Sequence, residues 1–477
     1  MRTSQQLKER FLSYRRNLYA NGEKIGRDHE MLEPAMKMYI YEYDLQFDPK
    51  YHDLFTVISP TTGNRISLFN CPQRSPEEVI KKIEAIRVLT QLVGGCAARC
   101  GAVDLLSGVA LMTYEADEAC GTEYHPRFLK YLQKIQEEDL MTTILLTDAK
   151  GDRSKRPHQQ SDPDMYLRIV EKKSDGIVIN GCKLFGGTAM MDEITVAPTR
   201  ALSGPEESQY AVSFSIPGDW DNVHILCKPV KGRSIRNKYK SPIEGHGMGF
   251  ENWTIFDNTF VPWDRVWLCG EWKHAAAGAH YGSLFHRTSY TGCKPATADL
   301  IMGAAALIAE YNGLEKISHI REKLAHLAAT AELIHATGIA GAMKGKKHGS
   351  GFWLPEPVFI NAGRYHAGMN IYHEYETLAD IAGGMGINIP TEEDFMSPDI
   401  GRFIQKYIKR KADIPAENIW RLFKLVDEML YSEQAGWYKA AGLHGGGSPI
   451  MEKIGILSNY DFEMRKGLIK HLAGIKK

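Results

Sequence analysis

Residues 76–120 read PEEVIKKIEAIRVLTQLVGGCAARCGAVDLLSGVALMTYEADEAC. Apolar residues recur there at three- and four-residue spacing, the periodicity of buried helix. Ser75 precedes Pro76, Glu77 and Glu78. A capping hydroxyl followed by proline and acids is a helix start. Within the stretch, Cys96 and Cys100 lie four residues apart. Four residues make about one helical turn, so the pattern predicts both sulfurs on one helix face.

Outward from this segment the chain falls into three regimes. Residues 1–140 read as a helical domain. Residues 141–270 change to short β-type runs. YLRIVEKK and GIVINGCKLF flank Ser174-Asp175-Gly176, a hairpin-like turn. EITVAP, YAVSFSIP, HILCKP and NWTIFDNTFVPWDRVWL follow, each bounded by Pro, Gly or Asp. From 271 to 477 helical patterns return, with Gly-rich breaks at Gly383-Gly384-Met385-Gly386 and His444-Gly445-Gly446-Gly447. Helical, β, helical predicts an α+β protein in which helical bundles pack against a central β domain.

Composition bounds the function. A length of 477 residues fits about three folding units. Lys plus Arg and Asp plus Glu are 58 each, so the formal net charge is zero. That argues against a nucleic-acid protein, whose affinity comes from clustered basic charge. Eight cysteines are too few for a disulfide scaffold. The charged N-terminus has no apolar core of a secretory signal, and apolar runs such as 302–309 are too short to span a bilayer. The expectation is a cytoplasmic protein with reduced thiols. No GxGxxG follows a strand and no GxxxxGK[ST] occurs, which argues against Rossmann and P-loop nucleotide binding.

A second constellation lies in FHRTSYTGCKPA, residues 285–296. His286, Tyr290 and Cys293 fall at i, i+4 and i+7, one face if the stretch is helical. Gly292 and Pro295 predict that the helix gives way to a turn near Cys293. Each segment alone reads as ordinary core. Together they offer three thiols and one imidazole, a set that suits tetrahedral zinc or an iron–sulfur cluster. The spacings match neither zinc fingers nor the C-x2-C-x2-C run of ferredoxins.

Cys96-x3-Cys100, His286-x3-Tyr290-x2-Cys293-Lys294 and the C-terminal AGWYKAAGLHGGGSP resemble the 4-hydroxybutyryl-CoA dehydratase family, a branch of the 4-hydroxyphenylacetate 3-hydroxylase flavoproteins. The likeness extends through TDAKGDRSKRPHQQSDPDMYLRIVEK and GFENWTIFDNTFVPWDRVWL. It implies an acyl-CoA dehydrogenase-like fold, FAD, a [4Fe-4S] cluster and a homotetramer. Cys96, Cys100, His286 and Cys293 would be the cluster ligands. Glu251, Tyr290, Lys294 and Glu452 would join His286 in catalysis. Arg153 and Lys155 would meet flavin pyrophosphate oxygens, with His158 and Gln159 near the ring or ribitol. Thr188 would approach the flavin, and Gly384 would do so from a neighbouring subunit. Cys71, Cys120, Cys182, Cys227 and Cys269 have no matched role and read as structural.

The implied reaction is radical dehydration of 4-hydroxybutyryl-CoA to crotonyl-CoA, with vinylacetyl-CoA Δ-isomerase activity. A thioester acidifies the α-carbon but not the β-carbon, so simple base catalysis fails at the β C–H. One-electron oxidation of the enolate acidifies that bond, and flavin can accept and return one electron. An iron beside a weakly held imidazole would assist the leaving hydroxyl. Three competing readings stand beside this one: a flavin-dependent aromatic hydroxylase, a dehydratase of another hydroxyacyl-CoA, and a metal-stapled scaffold.

Overall fold

The computed structural model describes residues 1–97, 99–229 and 250–475. The N-terminal part holds α1 (Ser4–Ser13), β1 (Leu18–Ala20), β2 (Glu23–Ile25), α2 (Glu33–Leu45), the single turn α3 (His52–Phe55), β3 (Thr56–Ile58), β4 (Arg65–Ser67), α4 (Pro76–Val93), α5 (Cys100–Cys120) and α6 (Tyr124–Glu137). The start of α4 is built as its sequence predicts. The Ser75 side chain accepts from the Glu78 N–H, with Pro76 in the first turn.

Its end is not. Gly94 and Gly95 adopt positive φ, 71° and 158°, and the Gly94 N–H closes the helix on the Thr90 carbonyl. Cys96 therefore lies in the connection and Cys100 opens α5. The expected continuous helix with both sulfurs on one face is corrected to a two-glycine break. Glycine alone enters such conformations without a Cβ penalty.

The β region comprises β5 (Thr142–Leu145), β6 (Arg168–Lys172), β7 (Gly176–Lys183), β8 (Glu193–Val196), β9 (Val212–Pro217), β10 (Val223–Pro229), β11 (Phe250–Pro262) and β12 (Val266–Cys269). β6 and β7 pair antiparallel across the expected hairpin. One sheet has the order β2-β1-β10-β11-β7-β6 and another β12-β9-β8-β5. β1 pairs parallel to β10, so the N-terminal residues supply an edge of the central sheet and are not purely helical. These strands are three residues long, too short to show a period of two. The inner faces bury Ile194, Val196, Phe214, Ile216 and Trp267, and the Trp267 indole N–H donates to Ser215 Oγ at 2.8 Å.

The C-terminal part holds α7 (Ala275–Asn312), α8 (Ser318–Met343), β13 (Lys346–Lys347), β14 (Trp353–Leu354), α9 (Pro357–Ala382), α10 (Glu392–Met396), α11 (Gly401–Ile408), α12 (Ala416–Tyr431), α13 (Glu433–His444), α14 (Pro449–Asn459) and α15 (Phe462–Leu472). α7 runs unbroken for 38 residues with Pro295 inside it, about 57 Å at 1.5 Å per residue. The expected turn near Cys293 is thus absent. Proline removes the hydrogen bond to the carbonyl four residues earlier, here Thr291. His335 Nδ1 of α8 lies 3.4 Å from that carbonyl, so the orphaned acceptor finds a partner across the helix interface. Among the described residues, no helix is long and apolar enough to cross a membrane.

α7 is the axis of the helical layer, packed against α4, α5, α8 and α9. Its crossing with α5 is close enough that a Cβ at Gly108 would lie 2.5 Å from the backbone nitrogen of Gly282. Gly108→Ala must push these helices apart, and overpacking of this kind costs about 1–3 kcal/mol. The expected result is a thermal unfolding midpoint several degrees lower by circular dichroism. An unchanged midpoint would show that the crossing tolerates a methyl group.

Candidate active site

The two-glycine break and the unbroken α7 bring the sequence-distant cysteines together. Cys96, Cys100 and Cys293 line one small cavity, walled by Phe69, Ile86 and Leu89. Burial pushes the Cys100 thiol well above its ordinary pKa, and the charges of Asp104, Cys293 and Cys96 push it the same way. Cys293 is raised by burial and by Cys96. Burial thus favours the protonated thiols in this chain, and a bound metal would supply the positive charge that holds such sulfurs deprotonated.

His286 sits two helical turns before Cys293 on α7. Its Nδ1 is 3.0 Å from Asp104 Oδ2. Donor atoms of Cys100, Asp104 and His286 all lie within 4.8 Å of one another. Asp104 is wholly buried. Its Oδ1 accepts from Lys82 Nζ at 2.9 Å and from Ser289 Oγ at 2.7 Å. Among the described residues the group within 4.8 Å is thus Cys100, Asp104 and His286, while Cys96 and Cys293 meet Cys100 at the cavity; sulfur and imidazole are soft donors that suit zinc or iron–sulfur chemistry better than a hard oxygen-seeking cation.

Tyr290 and Lys294 continue the same face of α7. The Tyr290 hydroxyl donates to the Gly442 carbonyl of α13, and the Arg364 guanidinium lies 4.2 Å from the ring centroid. Burial raises the Tyr290 pKa strongly, so the phenol keeps its proton. The Lys294 ammonium is buried and paired with Glu374 of α9. Burial raises the Glu374 pKa while Lys294 opposes it.

Glu251 projects from β11 and accepts from the Trp437 indole N–H of α13. Burial raises its pKa, against hydrogen bonds from Trp437 and from the backbone of Asn252 and Gly186. The carboxylate therefore rests on the 186–188 turn. Glu452 sits in the first turn of α14, fully buried. Neither of its oxygens has a hydrogen-bond partner, and Arg287 Nε is 3.9 Å away. Burial raises its pKa, and Arg364 and Arg287 lower it. The same two arginines hold the glycine turn before α14: Arg287 Nε donates to the Gly446 carbonyl at 2.8 Å and Arg364 Nη2 to that of Gly445 at 3.0 Å.

The residues expected around flavin form no single cluster in this chain. Thr188 is buried, with its hydroxyl 2.9 Å from that of Thr254 and accepting from Asn252 Nδ2 at 2.6 Å. Gly384 lies in an exposed 3₁₀ turn, with no atom within 4 Å of where a Cβ would stand. Arg153, Lys155, His158 and Gln159 lie on an exposed segment. Lys155 faces Asp152 at 3.8 Å. The Gln159 side-chain oxygen accepts from the Arg156 N–H. His158 Nδ1 lies 3.0 Å from Glu207 Oε1. The inward cation of this segment is Arg156, whose Nε donates to Glu207 at 2.9 Å.

Asp104, Lys82, Arg287, Arg364 and Glu374 escaped the sequence reading. Their signal was a charge on an apolar helix face. Asp104 stands one turn after Cys100 in CGAVDLLSG, and Lys82 shares the buried face of Val79, Ile83 and Ile86.

Residues 3–268 match the family described as 4-hydroxyphenylacetate 3-hydroxylase N terminal, and residues 275–474 its C-terminal counterpart. The chain is 34% identical to a 4-hydroxybutyryl-CoA dehydratase/vinylacetyl-CoA-Delta-isomerase of Clostridium aminobutyricum, over 99% of each chain. The structure of an oxygen-tolerant archaeal 4-hydroxybutyryl-CoA dehydratase from N. maritimus superposes with a TM-score of 0.93 at 31% identity, covering 100% of this chain and 95% of that one. The oxygenase component of 4-hydroxyphenylacetate 3-monooxygenase complexed with FAD gives 0.87 at 23%, covering 99% and 98%, a likeness of fold alone. A glutaryl-coenzyme A dehydrogenase shares the fold more remotely, at 0.51 and 13% over 80% and 79%.

The 151–160 segment depends on Glu207. Burial would raise the Glu207 pKa, but Arg156, the Ser203 N–H and His158 outweigh it and bring it down to about 2. A depressed carboxylate stabilises the fold fully above its ordinary value and loses that contribution as pH falls towards about 2. Hydrogen bonds to a charged group contribute about 1.5–3 kcal/mol. Glu207→Gln is expected to loosen the segment at neutral pH, seen as faster tryptic cleavage after Arg153 and Lys155. Equal cleavage rates would show that the anchor lies elsewhere.

Proposed function

The chain belongs to the 4-hydroxyphenylacetate 3-hydroxylase family, and from that premise we propose that it dehydrates 4-hydroxybutyryl-CoA to crotonyl-CoA, with vinylacetyl-CoA Δ-isomerase activity, using FAD and a [4Fe-4S] cluster. The observation that carries this reading is the meeting of Cys96, Cys100 and Cys293 on one cavity, with His286 within ligand distance of Cys100. An aromatic hydroxylase has no use for such a set. Full-length identity to a dehydratase supports the same choice.

When bound, the cluster supplies a Lewis-acidic iron for the leaving hydroxyl, and FAD supplies one-electron chemistry. The remaining steps belong to side chains. His286 has Nδ1 committed to Asp104, which leaves Nε2 as its working nitrogen for a ligand bond or for the substrate α-proton. Tyr290 keeps its proton and is oriented by Gly442 and Arg364, which suits a donor to departing water. Glu251 and Glu452 have pKa values raised by burial, the direction that suits a carboxyl to general acid–base work. Lys294, held by Glu374, places a fixed positive charge beside Cys293. For flavin, Arg153, Lys155, His158 and Gln159 offer donors on an exposed segment, and the 186–188 turn with Glu251 offers a second contact. Thr188 reaches flavin from that turn, and Gly384 from a neighbouring subunit.

Protein purified without air is expected to contain FAD with about four irons and four sulfides per chain. His286→Ala should lose dehydration with flavin still bound, and Cys96→Ala should lose iron and sulfide. General acid–base groups contribute about 10²–10⁴-fold, and Glu452→Gln should lower turnover within that range. Iron-free protein that takes up reduced flavin and hydroxylates a phenol would replace this reading with the hydroxylase one.

We also propose the homotetramer. α14 and α15 expose Ile454, Leu457, Phe462, Leu468, Ile469 and Leu472, an apolar face that a second copy would cover. Light scattering should give four times the chain mass of 53.6 kDa. The double variant Leu468→Glu, Ile469→Glu should give a smaller species. A variant that stays tetrameric would place the interface elsewhere.

A further inference from the structure

Asp104 lies within ligand distance of Cys100 and His286, yet both its oxygens are already engaged. Oδ1 takes Lys82 and Ser289, and Oδ2 takes His286 Nδ1. A ligand oxygen would have to give up one of these bonds while wholly buried. The partners also fix a direction. Lys82 Nζ and Ser289 Oγ both donate to Oδ1, which turns Oδ2 to His286 as an acceptor. The imidazole must then present Nδ1–H to it, which leaves Nε2 as the unprotonated nitrogen.

We propose that Asp104 is the positioning residue of His286: it fixes the ring's tautomer and rotation so that Nε2 is the donor offered to the metal centre, and Lys82 and Ser289 hold Asp104 in place to do so. The inference rests on the cluster reading above and adds residues to it. Outer carboxylates that orient a ligating histidine typically govern metal affinity or activity by about 10–100-fold. An amide at this position can present N–H instead of oxygen to Nδ1, which would move the ring proton to Nε2 and spoil the ligand.

The test compares wild type, Asp104→Asn and Ser289→Ala, each purified without air as the holoprotein. Iron release to a chelator is followed with time, and the nitrogen hyperfine coupling of the reduced protein is recorded by pulsed electron paramagnetic resonance. Asp104→Asn is expected to release iron about 10–100-fold faster, with the histidine nitrogen coupling shifted or lost. Ser289→Ala removes one hydrogen bond and no charge, and should change both readouts in the same direction by less. Should Asp104→Asn fail to fold because Lys82 loses its counter-ion, Ser289→Ala decides. Release rates and couplings equal to wild type overturn the positioning role while leaving the cluster reading intact. Wild-type protein without iron overturns both.

Discussion

Three helices meet at the carboxylate of Asp104. It stands on α5, takes Lys82 from α4, and takes Ser289 and His286 from α7; all but the half-buried His286 lie in the buried interior. Burying an ion costs several kcal/mol in lost hydration, and a pair offsets this only with good geometry and satisfied oxygens. Here both oxygens are satisfied. Removing one member of such a pair strands a charge, at about 3–5 kcal/mol. The knot therefore fixes the axial register of α4, α5 and α7 far more sharply than apolar packing does. The sulfur donors inherit that register. Cys100 is one turn before Asp104 on α5, and Cys293 is one turn after Ser289 on α7. A helix that slides breaks the knot and separates the sulfurs together.

The same arrangement explains what the sequence disclosed and what it concealed. The cap at Ser75 and the β6–β7 hairpin carry local signals, and each forms where its pattern predicts; the long helices exist, but their ends do not follow the pattern. The three-residue strands β1 and β2 carry none: they are too short to show a period of two, and β1 joins the central sheet through β10, some 200 residues away. The Gly94-Gly95 break and the continuity through Pro295 both turn on tertiary partners: an added Cβ at Gly95 would overlap Tyr438, and His335 meets the carbonyl that Pro295 releases. Local rules gave one answer at each place and packing gave the other. Resemblance located the donor residues, but the groups that steer them announced themselves only as charges among apolar neighbours.

The charged residues of the helical layer divide by how fully they are paired. Asp104 is saturated, and Lys294 and Glu374 hold each other. Glu452 is different: it is as deeply buried, but its two oxygens are unpartnered and its nearest cation is 3.9 Å away. A buried carboxylate in that state favours its protonated form. Lys294 and Glu374 form an ion pair, whereas at Glu452 burial pushes the pKa up while Arg364 and Arg287 pull it down. Glu251 shares the second character, raised by burial but held by an indole and two backbone groups.

These separate pieces are clasped by α13, the AGWYKAAGLH stretch of the C-terminal motif. Trp437 reaches Glu251 on β11. The next residue, Tyr438, packs where Gly95 leaves room between α4 and α5. The Gly442 carbonyl receives Tyr290 of α7, and those of Leu443 and Gly445 receive Arg364 of α9. One short helix thus touches the β layer, the cysteine-bearing break, the long axial helix and the arginine that stacks on Tyr290. Its spacing is set by those four contacts at once, and glycine is required where backbone carbonyls must be approached closely. The motif is distinctive because an insertion anywhere in it would rotate at least two of the four contacts away from their partners.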